Sequence, residues 1–112
     1  MTYAEKALAN LRKARREESN DWAVTMYFYA AVHAVNHRIF GSLTAPDNYT
    51  HFRRRKWITD NEPAMGAAYQ ALEGLSRLAR YMPDKHPINN TAVVEASETL
   101  DIILRECGFE AW

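Results

Sequence analysis

A chain of 112 residues, 47% hydrophobic and 25% charged, has the composition of one soluble folded unit, so residues 1–112 are read as a single domain. Cys107 is the only cysteine, which excludes an internal disulfide and a multi-cysteine metal site and suits a reducing, cytoplasmic setting. Fourteen basic residues balance fourteen acidic ones, excluding a chain drawn to polyanions by net charge, yet the charges segregate.

The first helix is predicted from about Tyr3 to Glu17, where Tyr3, Ala4, Ala7, Leu8, Leu11 and Ala14 recur at helical spacing. Its charged residues leave no apolar run of the kind a signal peptide carries. Ser19, Asn20 and Asp21 then offer a stop and a fresh N-cap. The second helix, Trp22–Phe40, closes at Gly41 and is apolar on two faces. At ~100° per residue, Trp22, Met26, Tyr29, His33 and Phe40 share one stripe. Val24, Phe28, Val32, Val35 and Ile39 share another, with Ala23, Ala30 and Ala34 between them. So wide an apolar surface predicts burial on most sides, and hence a homodimer that covers one face of this helix. Arg38 ends the longest apolar stretch short of the ~18 residues of a membrane span, so no membrane partner is expected.

Pro46, Asp47 and Asn48 mark a polar loop, and Tyr49–Thr59 reads as a short helix. A third long helix begins near Pro63 and runs to Arg80 or Tyr81. Its expected core face is Ala64, Met65, Ala68, Ala71, Leu72, Leu75 and Ala79, with Tyr69, Glu73, Ser76 and Arg80 on a flank. Pro83 and Pro87 bracket a loop before Asn89-Asn90-Thr91, which cap a last helix. There Val93, Ala96, Leu100, Ile103, Leu104 and Cys107 form one stripe, ended by Gly108. The fold class is all-α: an up-and-down four-helix bundle with an additional short helix between helices 2 and 3.

Three clusters carry polar chemistry. His33, on an apolar stripe, is either a core histidine bonded to a tyrosine or part of an internal site with Tyr27, Tyr29 and Tyr69. Its ring is expected to be mostly buried, one nitrogen bonded to a tyrosine hydroxyl or to a polar side chain of the third or the short helix. His33 and His37 have metal-ligand spacing and His51 is a third candidate, a set similar to DinB-like metal hydrolases. No further ligand motif accompanies them, so no metal or other cofactor is expected. His51, Arg53, Arg54, Arg55 and Lys56, interleaved with Tyr49, Phe52 and Trp57, suit a nucleic-acid surface where cations neutralise phosphates and rings stack on bases. The same residues also describe a solvated basic face whose aromatics pin the short helix. Glu73, Arg77, Arg80 and His86 make the third cluster; Glu73 and Arg77 can pair across one turn. Opposite in sign, residues 91–112 hold Glu95, Glu98, Asp101, Glu106 and Glu110 against Arg105 alone.

Trp22, Val24, Phe28-Tyr29-Ala30-Ala31 and His33, with His51, Arg54, Tyr69, Leu72, Ser76-Arg77 and Ala79-Arg80-Tyr81, form a pattern that resembles the HEPN superfamily of small helical-bundle domains. The likeness spans about residues 3–105 in architecture and 20–81 in motif. It implies a dimeric domain that binds or processes RNA or a nucleotide, in a toxin–antitoxin or defence setting. Many members are metal-independent ribonucleases with an Arg-x(4–6)-His motif at the dimer seam, and Arg80 and His86 have that spacing. By resemblance, Arg80 would stabilise phosphorane-like charge and His86 would exchange protons, with His33 and Arg77 as further catalytic candidates. His51, Arg53, Arg54, Arg55, Lys56 and Tyr69 would hold the nucleic acid. The sequence departs from the pattern at Tyr81, where asparagine, aspartate or histidine is frequent, and at Pro83 and Pro87, which break the helix. The competing class is a non-catalytic helical module for dimerisation or for a partner protein. The two separate on whether His33, His51, Arg54, Tyr69, Arg77 and Arg80 line one cleft.

Overall fold

Local chemistry sets the helix starts. In the computed structural model, which describes residues 1–81, 84 and 87–112, α1 spans Tyr3–Arg16. The Thr2 hydroxyl accepts from the Glu5 N–H at 3.1 Å, and the Glu5 carboxylate accepts from the Thr2 N–H at 3.0 Å, satisfying two first-turn donors reciprocally. Ser19 caps α2, Asn20–Phe40, which stops at Gly41 with φ 61°, a conformation a side chain would strain. Thr50 caps α3, His51–Asn61, two residues later than the aromatic pattern suggested. Pro63 opens α4, Pro63–Tyr81, where its missing N–H is not needed, and Asn89 caps α5, Asn90–Glu106. The described residues form five helices and no strand. None of those helices is long and apolar enough to cross a membrane.

The middle of the molecule is α2. It packs on α1, α4 and α5, α4 and α5 pack on each other, and α3 lies against α4. Its two apolar stripes prove unequal. Val24, Phe28, Val32 and Val35 are buried, as are Ala23, Ala30 and Ala34. On the other stripe Trp22 is 61% exposed, Tyr29 is also exposed, and Met26, His33 and Phe40 are half-buried. One subunit therefore encloses most of α2 and leaves the Trp22–Tyr29 stripe facing outward.

A second difference concerns α4. Met65, Leu72 and Ala79 enter the core as expected, but Ala64 and Ala71 face solvent. The presumed flank of Tyr69, Glu73 and Ser76 is buried instead. The cause is tertiary: Phe28 of α2 covers Tyr69, with ring centroids 5.8 Å apart, and α3 lays Arg55 over Glu73. On α5, Ala96, Leu100, Ile103, Leu104 and Cys107 are buried as the stripe predicts.

Candidate nucleic-acid interface

The polar residues of α3 and α4 converge on one aromatic ring of α2. Around Phe28, the rings of Tyr29, His51 and Tyr69 each lie 5.8 Å away, centroid to centroid. The Arg80 guanidinium sits 5.7 Å from the same centroid. These groups come from α2 itself, from the first residue of α3 and from α4.

Beneath this ring lies a buried seam. Arg54, only 5% exposed, donates from Nε to Asn36 Oδ1 at 3.0 Å and from Nη1 to His51 Nδ1 at 3.1 Å. An arginine can only donate, so Nδ1 of His51 must be bare and the neutral ring carries its hydrogen on Nε2. Burial lowers the His51 pKa, Arg54 lowers it further, Glu73 opposes, and Arg80 and Arg55 add to the depression. The His51 donor is thus on Nε2, and Arg54 occupies the nitrogen a base would use.

The Glu73 carboxylate, 5% exposed, takes Arg55 Nη1 on both oxygens at 2.9 Å, with Arg77 Nη2 at 3.5 Å. Two cations around one buried carboxylate satisfy the condition under which buried charge is tolerated. Between these groups Tyr69 is sealed in, its hydroxyl without a hydrogen-bond partner. Burial pushes that hydroxyl up to about 12, with the Arg54 guanidinium opposing the shift. The Ser76 hydroxyl is likewise buried and unpartnered.

Arg80 is arranged differently. Its Nε donates to the Ser76 carbonyl at 3.3 Å and its Nη1 to the Tyr29 hydroxyl at 3.1 Å, and the guanidinium lies 5.1 Å from the Tyr81 ring centroid. No carboxylate pairs with it among the described residues. Exposed aromatics stand near this cation and beside His51: Trp22, Tyr29, Tyr81 and, next to His51, Phe52. The outer face of α3 adds Arg53, stacked 5.2 Å from the Tyr49 centroid, and Lys56, paired with Asp60 at 3.0 Å. That exposed pair contributes little energy, so Lys56 stays available to other anions.

The candidate residues therefore divide. His51, Arg55, Arg77 and Arg80 reach the surface beside α2, α3 and α4, while Arg53 and Lys56 stand on the outer side of α3, with Tyr49 and Trp57. Arg54 and Tyr69, expected to touch nucleic acid, lie inside and support the α2–α3–α4 face from below, because Asn36 and Phe28 of α2 draw them inward. His33 turns away from it. Its ring stacks on Tyr3 of α1, centroids 6.3 Å apart, and its buried Nδ1 has no partner, in place of the expected bond to a tyrosine or to α3 or α4. Burial lowers its pKa, helped by Lys6 and Arg54. His37 meets Phe109 edge-on at 5.5 Å and His51 meets Phe28, so the three histidines stand against different rings. Among the described residues no three His, Cys, Asp or Glu side chains are grouped to hold a metal ion. His86, the proposed partner of Arg80, lies outside the described residues. Sequence reasoning missed Trp22 as a surface residue; its position in the first turn of α2, beside polar Ser19–Asp21, was the available signal.

Comparison with protein-family models, with curated proteins and with solved structures gives no match.

Proposed function

We propose that this chain is a HEPN-like helical domain, built as an up-and-down bundle, that binds single-stranded RNA across the α2–α3–α4 face in the cytoplasm. The observation that carries the reading is Arg80: a cation with no carboxylate on it among the described residues, surrounded by the exposed rings of Trp22, Tyr29 and Tyr81. Cations that neutralise phosphates beside rings that stack on unpaired bases are what sequence-tolerant single-strand binding requires. The reading is binding rather than cleavage, since Arg54 occupies Nδ1 of His51 and Arg77 faces Glu73. A second copy would dock on the same Trp22–Met26–Tyr29 strip, so dimerisation and RNA compete in this account. The test is fluorescence anisotropy of a labelled, unstructured RNA at two salt concentrations. The unmutated protein binds with a salt-dependent affinity, and Arg80→Ala weakens binding and flattens that dependence.

A non-catalytic interaction module is the second reading. It is favoured by one feature: Arg54, Arg55 and Arg77 all have internal partners. Under it, no RNA binds at low salt and Arg80→Ala changes nothing.

A further inference from the structure

Between the first turn of α2 and the last turn of α4 lies a cleft of about 220 Å³, lined by Ser19, Asp21, Trp22, Thr25, Ala79 and Arg80. It is below the roughly 300 Å³ at which pockets for drug-sized ligands begin, so it suits one planar base with the sugar and phosphate outside. Three groups define what that base offers. Trp22, 61% exposed, lines the cleft with an indole that has open area left for stacking. Arg80 is anchored through Nε and Nη1, which leaves Nη2 without a hydrogen bond to any described residue. The Asp21 carboxylate is half-buried and has no hydrogen-bond or ion-pair partner among the described residues; only its backbone carbonyl is engaged, by the Thr25 hydroxyl at 2.8 Å.

A carboxylate presents two acceptors and no donor. Of the four RNA bases, only guanine sets two neighbouring N–H donors, N1–H and the exocyclic amine, on one edge. Adenine and cytosine set one donor beside an acceptor that a carboxylate repels, and uracil flanks its single N–H with two acceptors. We propose that this cleft is a guanine subsite: Trp22 stacks on the base, Asp21 accepts from N1–H and the amine, and Arg80 Nη2 pairs with the adjoining phosphate. This rests on the RNA-binding reading and adds base preference to it.

The probes are two uridine hexanucleotides, one carrying a single internal guanosine and the other a single adenosine, followed by anisotropy. The unmutated protein binds the guanosine hexamer roughly tenfold or more tightly than the adenosine one, the discrimination expected of a bidentate contact. Asp21→Asn erases that ratio while leaving affinity for the adenosine hexamer unreduced, and Trp22→Ala weakens the guanosine hexamer roughly fivefold or more. Melting curves confirm that both variants fold; should Asp21→Asn not fold, the ratio for the unmutated protein and the Trp22→Ala loss decide alone. Equal binding of both hexamers overturns the guanine subsite and leaves RNA binding standing. Binding of neither overturns both.

Discussion

Replacing Arg54 by methionine removes the seam's central cation while keeping most of its aliphatic volume. Two charge-assisted hydrogen bonds disappear, at 3.0 Å to Asn36 and 3.1 Å to His51. Each is worth about 1.5–3 kcal/mol net, and stranding the buried Asn36 oxygen costs about 1–3 kcal/mol more. Against that stands the desolvation of the guanidinium, which the substitution relieves. The balance is a loss of about 3 kcal/mol, read as a lower midpoint in urea with an unchanged slope at neutral pH. Adding Asn36→Leu recovers part of it, because apolar groups then replace both partners. The same variant frees Nδ1 of His51, so nitrogen NMR shows a mixture of tautomers and a pKa that moves back up towards 6.5. A loss below about 0.5 kcal/mol, the size of an ordinary surface substitution, refutes the seam. So does a His51 whose pKa does not rise when Arg54 is removed.

Further outcomes follow from the same geometry. Burial holds the pKa values of His33 and His51 below 6.5, so the folded state takes up fewer protons than the unfolded chain as pH falls through that value. Stability is then full above pH 6.5 and declines below it, and a joint His33→Asn, His51→Gln variant flattens the decline; a thermal midpoint that rises on mild acidification contradicts this. Phe28→Ala, which empties a fully buried site facing three rings, costs about 3–5 kcal/mol in chemical unfolding, and a cost under 1 kcal/mol would place Phe28 outside the core. Sedimentation equilibrium shows any dimer giving way to a monomer–RNA complex as RNA is added. A dimer that persists unchanged at saturating RNA contradicts the shared use of the Trp22–Tyr29 strip.

Much of the helix layout was legible because it rests on local chemistry. Ser19, Gly41, Pro63 and Asn89 act within a turn of themselves, and the α5 stripe needs only a periodic count. What escaped depends on contacts distant in sequence. Periodicity gave the direction of Trp22 but not how far neighbouring helices extend to cover it. The burial of Tyr69, Glu73 and Ser76 follows from where α3 comes to rest, and α3 is placed by Arg54 reaching Asn36, a bond no spacing encodes. His33 was expected to be mostly buried and hydrogen-bonded, but it is half-buried with Nδ1 unpartnered, and its neighbour is Tyr3, thirty positions away. Sequence posed the question whether His33, His51, Arg54, Tyr69, Arg77 and Arg80 line one cleft; His51, Tyr69 and Arg80 meet at Phe28, while Arg54 bonds Asn36, Arg77 faces Glu73 and His33 turns to Tyr3.

The central claim is that the α2–α3–α4 face, and no other, receives RNA. Nitrogen–proton spectra of the labelled protein titrated with a short uridine-rich RNA test it most directly, through the Trp22 indole, the Arg80 side chain and the backbone of residues 51–56. The account predicts that these signals shift together and saturate, while the exposed α5 residues Val94 and Ile102 stay in place. Shifts centred on α5, or none anywhere at low salt, would contradict it.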